Sequence, residues 1–232
     1  MMKKLLSLTL TLLMVLTMTG CGSSSPSGEP DKPEPQKEVE FGLGTVENGV
    51  YKNEFLGIGF KMEQAGMHEV DNGNSNYRTK IKPEDLEKII TNSMIVELLA
   101  QSYEGNEFVR DSFNWIMSIE AVKDVNKTIE PKSFMADKRT SRVKSASENY
   151  TDLEDKEINK KIGKAEFTGF ELIFTANPVS NMKGGECHLL AKKGEYCYYI
   201  TMITLYLGSE NKTYDQIKEN LDTWLNNYFY GL

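Results

Sequence analysis

Histidine and cysteine are scarce in this chain, with histidines only at 68 and 188 and cysteines only at 21, 187 and 197 among 232 residues. So few imidazoles leave little material for a histidine-based metal site or a catalytic triad. Three cysteines exclude a disulfide-dense scaffold and a four-cysteine zinc site. Positive charge is also in deficit: 27 Lys+Arg face 34 Asp+Glu, a net charge of −7 and a pI near 5.1. Such a chain cannot neutralise a row of phosphates, and no nucleic-acid partner is expected. There is no G-x-G-x-x-G and no G-x-x-x-x-G-K-[ST] run, which removes the usual nucleotide sites. Asp152, Glu154, Asp155 and Glu157 come without a D-x-[DN]-x-[DN]-G loop, so they read as a solvated loop and strand edge rather than a calcium site. No metal or cofactor is expected.

What is present begins with an address. Lys3 and Lys4 precede Leu5 to Thr19, an uncharged stretch of 15 residues. That is the length of a signal-peptide apolar region and short for a span of ~20 residues. It closes on Leu16-Thr17-Met18-Thr19-Gly20-Cys21, which resembles the bacterial lipoprotein signal. The resemblance implies cleavage before Cys21 and a lipid on its sulfur, with acyl chains such as palmitate anchoring the mature chain to the outer side of the cell membrane. Removing residues 1–20 takes away two lysines and no acid, leaving 25 − 34 = −9. A basic patch therefore cannot help the attachment, and the lipid must serve alone.

Residues 22–40, GSSSPSGEPDKPEPQKEVE, hold four prolines, many charges and almost nothing apolar. Such a segment cannot offset its ordering entropy by burial, and it reads as a tether of at most ~60 Å at ~3.3 Å per residue. Three parts follow: a signal peptide at 1–20, a lipidated Cys21 with its linker to 40, and one domain from 41 to 232.

Within the domain, Val50–Asn53 and Leu56–Met62 alternate as two strands about a turn at Asn53-Glu54. Pro83, Glu84 and Asp85, with apolar residues at 86, 89, 90, 94 and 98, predict an amphipathic helix over 83–102. A strand over 113–119, a helix over 131–147, and strands over 158–162 and 166–176 follow. A hairpin of 186–191 with 195–207 comes next, its second strand apolar on both faces and therefore central. Thr213 and Gln216 form a capping box for a last helix striped by Ile217, Leu221, Trp224, Leu225 and Tyr228. Runs of antiparallel strands with helices packed against them define an α+β class.

Gly49-Val50-Tyr51-Lys52-Asn53-Glu54-Phe55-Leu56-Gly57-Ile58-Gly59-Phe60, Ile162-Gly163-Lys164-Ala165-Glu166-Phe167 and Lys193-Gly194-Glu195-Tyr196 resemble, in that order, motifs of the PsbP-like (Mog/PsbP-type) α+β fold. Uncharacterised lipoproteins of Firmicutes carry that fold too. The resemblance runs over roughly 49–230 and implies a sandwich of antiparallel sheet and helices. Its motifs are structural, not catalytic.

Cys187, His188 and Cys197 are the residues that invite chemistry. Neighbours 187 and 188 on a strand point to opposite faces and cannot share a proton or a metal. Cys187 and Cys197 can form a disulfide if a three-residue turn is centred on Lys192. A two- or four-residue turn puts them on opposite faces as buried thiols. Trp115, Trp224 and tyrosines 196, 198 and 199 stand at strand or helix period and read as core before ligand platform. The expectation is a non-enzymatic interaction or assembly domain on an envelope lipoprotein, its partner an unknown envelope protein. The alternative is a small-ligand-binding lipoprotein serving a transporter or sensor.

Overall fold

Antiparallel hairpins open the described part of the chain. The computed structural model describes residues 39–71, 73–103, 107–177, 182–208 and 212–232. Cys21, the signal segment and the tether up to residue 38 lie outside the described residues. Strands β1 (Thr45–Glu47), β2 (Val50–Asn53) and β3 (Ile58–Lys61) pair in succession. Gly57 makes the β2–β3 turn at φ 78°, a backbone conformation that side chains with a Cβ resist. Then come β4 (His68–Glu69), α1 (Leu86–Asn92), β5 (Ile95–Gln101), β6 (Phe113–Lys123) and α2 (Pro131–Asn149). The long strands β7 (Thr151–Ile162), β8 (Ala165–Asn177), β9 (Met182–Lys193) and β10 (Tyr196–Tyr206) follow, then α3 (Tyr214–Tyr228) and β11 (Phe229–Gly231).

Two sheets result, a small one ordered β1-β2-β3-β11 and a large one ordered β4-β5-β6-β10-β9-β8-β7. All paired strands in both are antiparallel. The α+β class is therefore realised, and β10 stands fourth of the seven strands, as its two apolar faces require. The inner face of the large sheet carries Met117, Ile119, Leu189, Tyr198, Ile200 and Met202. These pack against Ile58 and Phe60 of the small sheet and Leu221, Trp224 and Leu225 of α3. The outer face carries Phe170, Leu172, Phe174, Leu190 and Cys197 beneath Met135 and Ala146 of α2. That helix lies on β7, β8 and β9.

The helix expected over 83–102 is corrected. Only residues 86–92 are α-helical, after a 3-10 turn at Pro83–Asp85, and 95–101 is a strand. Leu86, Ile89 and Ile90 do follow helical spacing, but Ser93 is already extended and Met94 points out, 43% exposed. Ile95 and Val96 are β-branched, and the strand is buried on both faces. A strand of that kind is a continuous apolar run, in which an i, i+4 pattern arises by coincidence.

The possible Cys187–Cys197 disulfide is also corrected. The β9–β10 turn is the two-residue Gly194-Glu195, so Cys197 pairs with Lys192 and Cys187 with Met202. One thiol enters the inner core and the other the outer core, both free and both buried. A sheet separates them.

Candidate functional site

Strand alternation puts Glu186 and His188 on the outer face, with Tyr199 of β10 beside them. Arg142 reaches down from α2 and grips Glu186 with two nitrogens, Nε to Oε2 at 2.7 Å and Nη2 to Oε1. His188 Nε2 stands 3.0 Å from Glu186 Oε2, and its Nδ1 stands 2.7 Å from the Tyr199 hydroxyl. Phe170 stacks on the imidazole at 4.7 Å, and Lys138 of α2 lies 5.5 Å above the Tyr199 ring. The four side chains form one continuous polar chain from the helix to the centre of the sheet.

Electrostatics fixes the proton positions along it. Burial raises the Glu186 carboxyl, but the hydrogen bonds from Arg142 and His188 outweigh that and hold its pKa at about 2. An ionised carboxylate only accepts, so His188 Nε2 donates to Glu186 Oε2, and Nδ1 shares the second hydrogen bond with the Tyr199 hydroxyl. A relay ending on a reactive phenol would need Tyr199 to ionise near neutrality. Burial, with the carboxylates of Glu120 and Glu186 close by, instead pushes it up to about 12. Glu120, next to Tyr199 on β6, is itself raised by burial. The arrangement is thus suited to latching α2 and presenting hydrogen-bonding groups, not to making a nucleophile.

The solution structure of cyanobacterial PsbP from Synechocystis is similar to this chain, with a TM-score of 0.38 and 12% identity over 84% of this chain and 96% of that one. A likeness of that size says nothing of activity or partner. No protein-family model matches the sequence. No curated protein matches it either.

Of the residues singled out by sequence, Cys187 and His188 do stand on opposite faces. Burial raises the Cys187 thiol well above its ordinary value and raises Cys197 as well, so both stay protonated. Cys21 lies outside the described residues. Arg142, Glu186 and Tyr199 were missed as partners of His188. The i, i+2 spacing of Glu186 and His188 on a strand was a usable signal, but Arg142 arrives from a helix 44 residues away in sequence, which no local pattern reports. Among the described residues, no group of three or more His, Cys, Asp or Glu could hold a metal ion. No described helix is long and apolar enough to cross a membrane.

A second buried carboxylate lies on the inner side. Glu97 sits at a bulge in β5, fully buried, and its Oε2 accepts from Gly44 N at 3.0 Å, Asn53 Nδ2 at 2.9 Å and the Tyr51 hydroxyl. Burial raises its pKa against those three bonds. It ties the start of the domain to the core.

Proposed function

We propose that the chain is a lipid-anchored, extracytoplasmic protein whose α+β domain is a non-enzymatic interaction module of the cell envelope. The observation that carries this reading is Leu16-Thr17-Met18-Thr19-Gly20-Cys21 closing a charge-free run. The state of the other two cysteines supports it. Cys187 is 0% and Cys197 1% exposed, so in the folded domain neither thiol is open to an acyl donor. Two acyl chains at ~0.8 kcal/mol per buried CH₂ would hold an acidic chain to a membrane without electrostatic help. The polar chain through His188, with its unreactive phenol, supports a binding role over a catalytic one.

Metabolic labelling with palmitate and membrane fractionation test it. Cys21→Ala should lose the label and leave the membrane fraction or accumulate unprocessed. A variant that is processed normally and held as tightly as the parent would overturn the reading. One observation favours the alternative, a small-ligand-binding lipoprotein: a cleft of about 350 Å³ opens beside Trp115 and Trp224.

A further inference from the structure

Strand register gathers several loops at one end of the domain. Lys123, the last residue of β6, pairs with Tyr196 of β10, and Tyr196 with Lys193 of β9. Neighbouring β5 begins at Ile95, opposite Ala121. Residues 93–94, the loop at 124–130 and the turn at 194–195 therefore share that end. The β2–β3 turn joins them, since Phe55 stands edge-on to Tyr196 at 5.5 Å. Gly163, in the β7–β8 turn, packs on Gly231 and the Gly57 carbonyl with no room for a Cβ.

Exposed apolar side chains collect at this end. Among the described residues six large ones are exposed, and two of them, Phe108 and Val109, lie at the opposite end beside Asn114. The other four are Val39, Met94, Val125 and Leu232, each 43–51% exposed. Met94 precedes β5, Val125 follows β6, and Leu232 N donates to Gly57 O. Val39 stands two residues before Phe41, whose ring stacks on Tyr196 at 3.9 Å. Charge here is mixed: Lys127, Lys164 and Lys193 stand among Glu54, Glu166 and Glu195, with Lys127 and Glu195 paired at 3.1 Å. Such an end sets up no field for a charged partner.

We propose that this end of the domain rests on the lipid bilayer, with Val39, Met94, Val125 and Leu232 entering the headgroup boundary. The proposal rests on the Cys21 anchor and deepens it: the lipid attaches the chain, and the apolar end orients it. The path to the lipid selects the occupant. Seventeen residues, 22–38, lie between Cys21 and Val39, a reach of at most ~60 Å at ~3.3 Å per residue. No described residue is nearer to the anchor along the chain than Val39. Tethering makes the contact intramolecular, so a surface too small to hold a free domain on a membrane can still orient an anchored one. Half-buried Phe41, Phe55 and Tyr196 suit the interface, where a ring can have one wet edge, and the lysines can lay their stems on it with the ammonium in water. The opposite end, residues 107–114, is then turned away from the bilayer.

Cysteine chemistry supplies the probe. With lipid on the Cys21 sulfur and with Cys187 and Cys197 buried, Val125→Cys takes a nitrobenzoxadiazole maleimide alone. The mature lipid-anchored chain is placed in phosphatidylcholine vesicles, with and without phosphatidylglycerol, and a nitroxide phospholipid serves as quencher. The label at Val125→Cys should shift to the blue and be quenched several-fold, while a label at Val109→Cys keeps its aqueous emission. High salt and either lipid mixture should give the same result, because the contact is apolar. Val39→Asp with Leu232→Asp, both at exposed positions, should return the Val125→Cys label to aqueous emission with the chain still vesicle-bound. Equal quenching at the two ends, quenching that vanishes in high salt, or none at Val125→Cys in a chain that floats with the vesicles would overturn the contact and leave the anchor standing. A chain that does not float with the vesicles would overturn the anchor, and the contact with it.

Discussion

The two faces of the large sheet are closed by different physics. The inner face is covered by the small sheet and by α3, and apart from the Glu97 tie its contacts are mainly apolar: Phe60 lies 5.0 Å from Trp224, which stacks in turn on Trp115. The outer face has α2 over β7, β8 and β9. Beyond that helix, Leu99, Ile116, Ser118, Glu120, Thr201 and Ile203 remain half-buried. Few large apolar residues occur in α2, and Met135 and Ala146 are the two it buries. Charge pins it instead. Glu130 caps its first turn, Arg139 meets Asp155 at 2.5 Å, and Arg142 meets Glu186. The loop before it is held by Asp124, which accepts from Lys192, Thr128 N and Ile129 N; the Lys192 bond holds that carboxyl at about 2. Apolar closure does not titrate and is not screened by salt, whereas polar pinning is subject to both. The same sheet therefore has one permanent side and one conditional side.

The largest effect should come from the permanent side. Trp224→Ala removes a 4%-exposed ring and should cost ~3–5 kcal/mol in a denaturant melt, whereas Lys218→Ala on the same helix should cost ~0.5 or less. Equal small shifts would mean that the inner face is not the load it is taken to be.

Arg142→Ala should cost less, about 1–3 kcal/mol, because Glu186 is left buried without its main partner while Arg142 itself is partly exposed. Its signature is in the pH dependence. Glu186 has its folded pKa depressed from 4.5 to about 2. Its contribution is therefore present above the unfolded value near 4.5 and is lost as pH falls towards 2. Arg142→Ala should narrow that acid window and shift acid unfolding to higher pH. Trp224→Ala should lower stability by the same amount at pH 4 and pH 7. An Arg142→Ala protein with the parent's acid profile would break the distinction between the faces.

Much of this contrast could be read in advance, because it is local. Alternation at residues 113–119 located one strand, and two apolar faces over 195–207 located the central one. The Thr213–Gln216 box located α3, where both reciprocal bonds are present. What escaped was long-range. The β5 strand imitated a helix because burial on both faces erases alternation, and Asp152, Glu154, Asp155 and Glu157 read as a solvated loop and strand edge because an edge strand under a charged helix needs few apolar side chains. The latch at His188 joins α2, β9 and β10, and its composition could not reveal which residues converge. The disulfide question turned on a single residue of turn length, a quantity that spacing between cysteines does not contain.

The smallest effect is kinetic. Native-state alkylation should be slow at both core thiols, but Cys197, under α2, should react before Cys187, whose environment on the inner face raises its pKa further. Mass spectrometry after timed labelling reads the order. Reversal would place the weaker cover on the inner face.

The small sheet has a consequence in time. Strand β11 supplies the fourth member of a sheet begun by β1, and Leu232 N donates to Gly57 O at 3.0 Å. A polypeptide emerging from its amino end must hold β1, β2 and β3 without their last partner until residues 229–231 have appeared. Closure of the inner face thus waits until residues 229–231 have emerged. Contacts this distant in sequence are slow to close. Until they do, an emerging chain exposes the apolar side of β6 and β10.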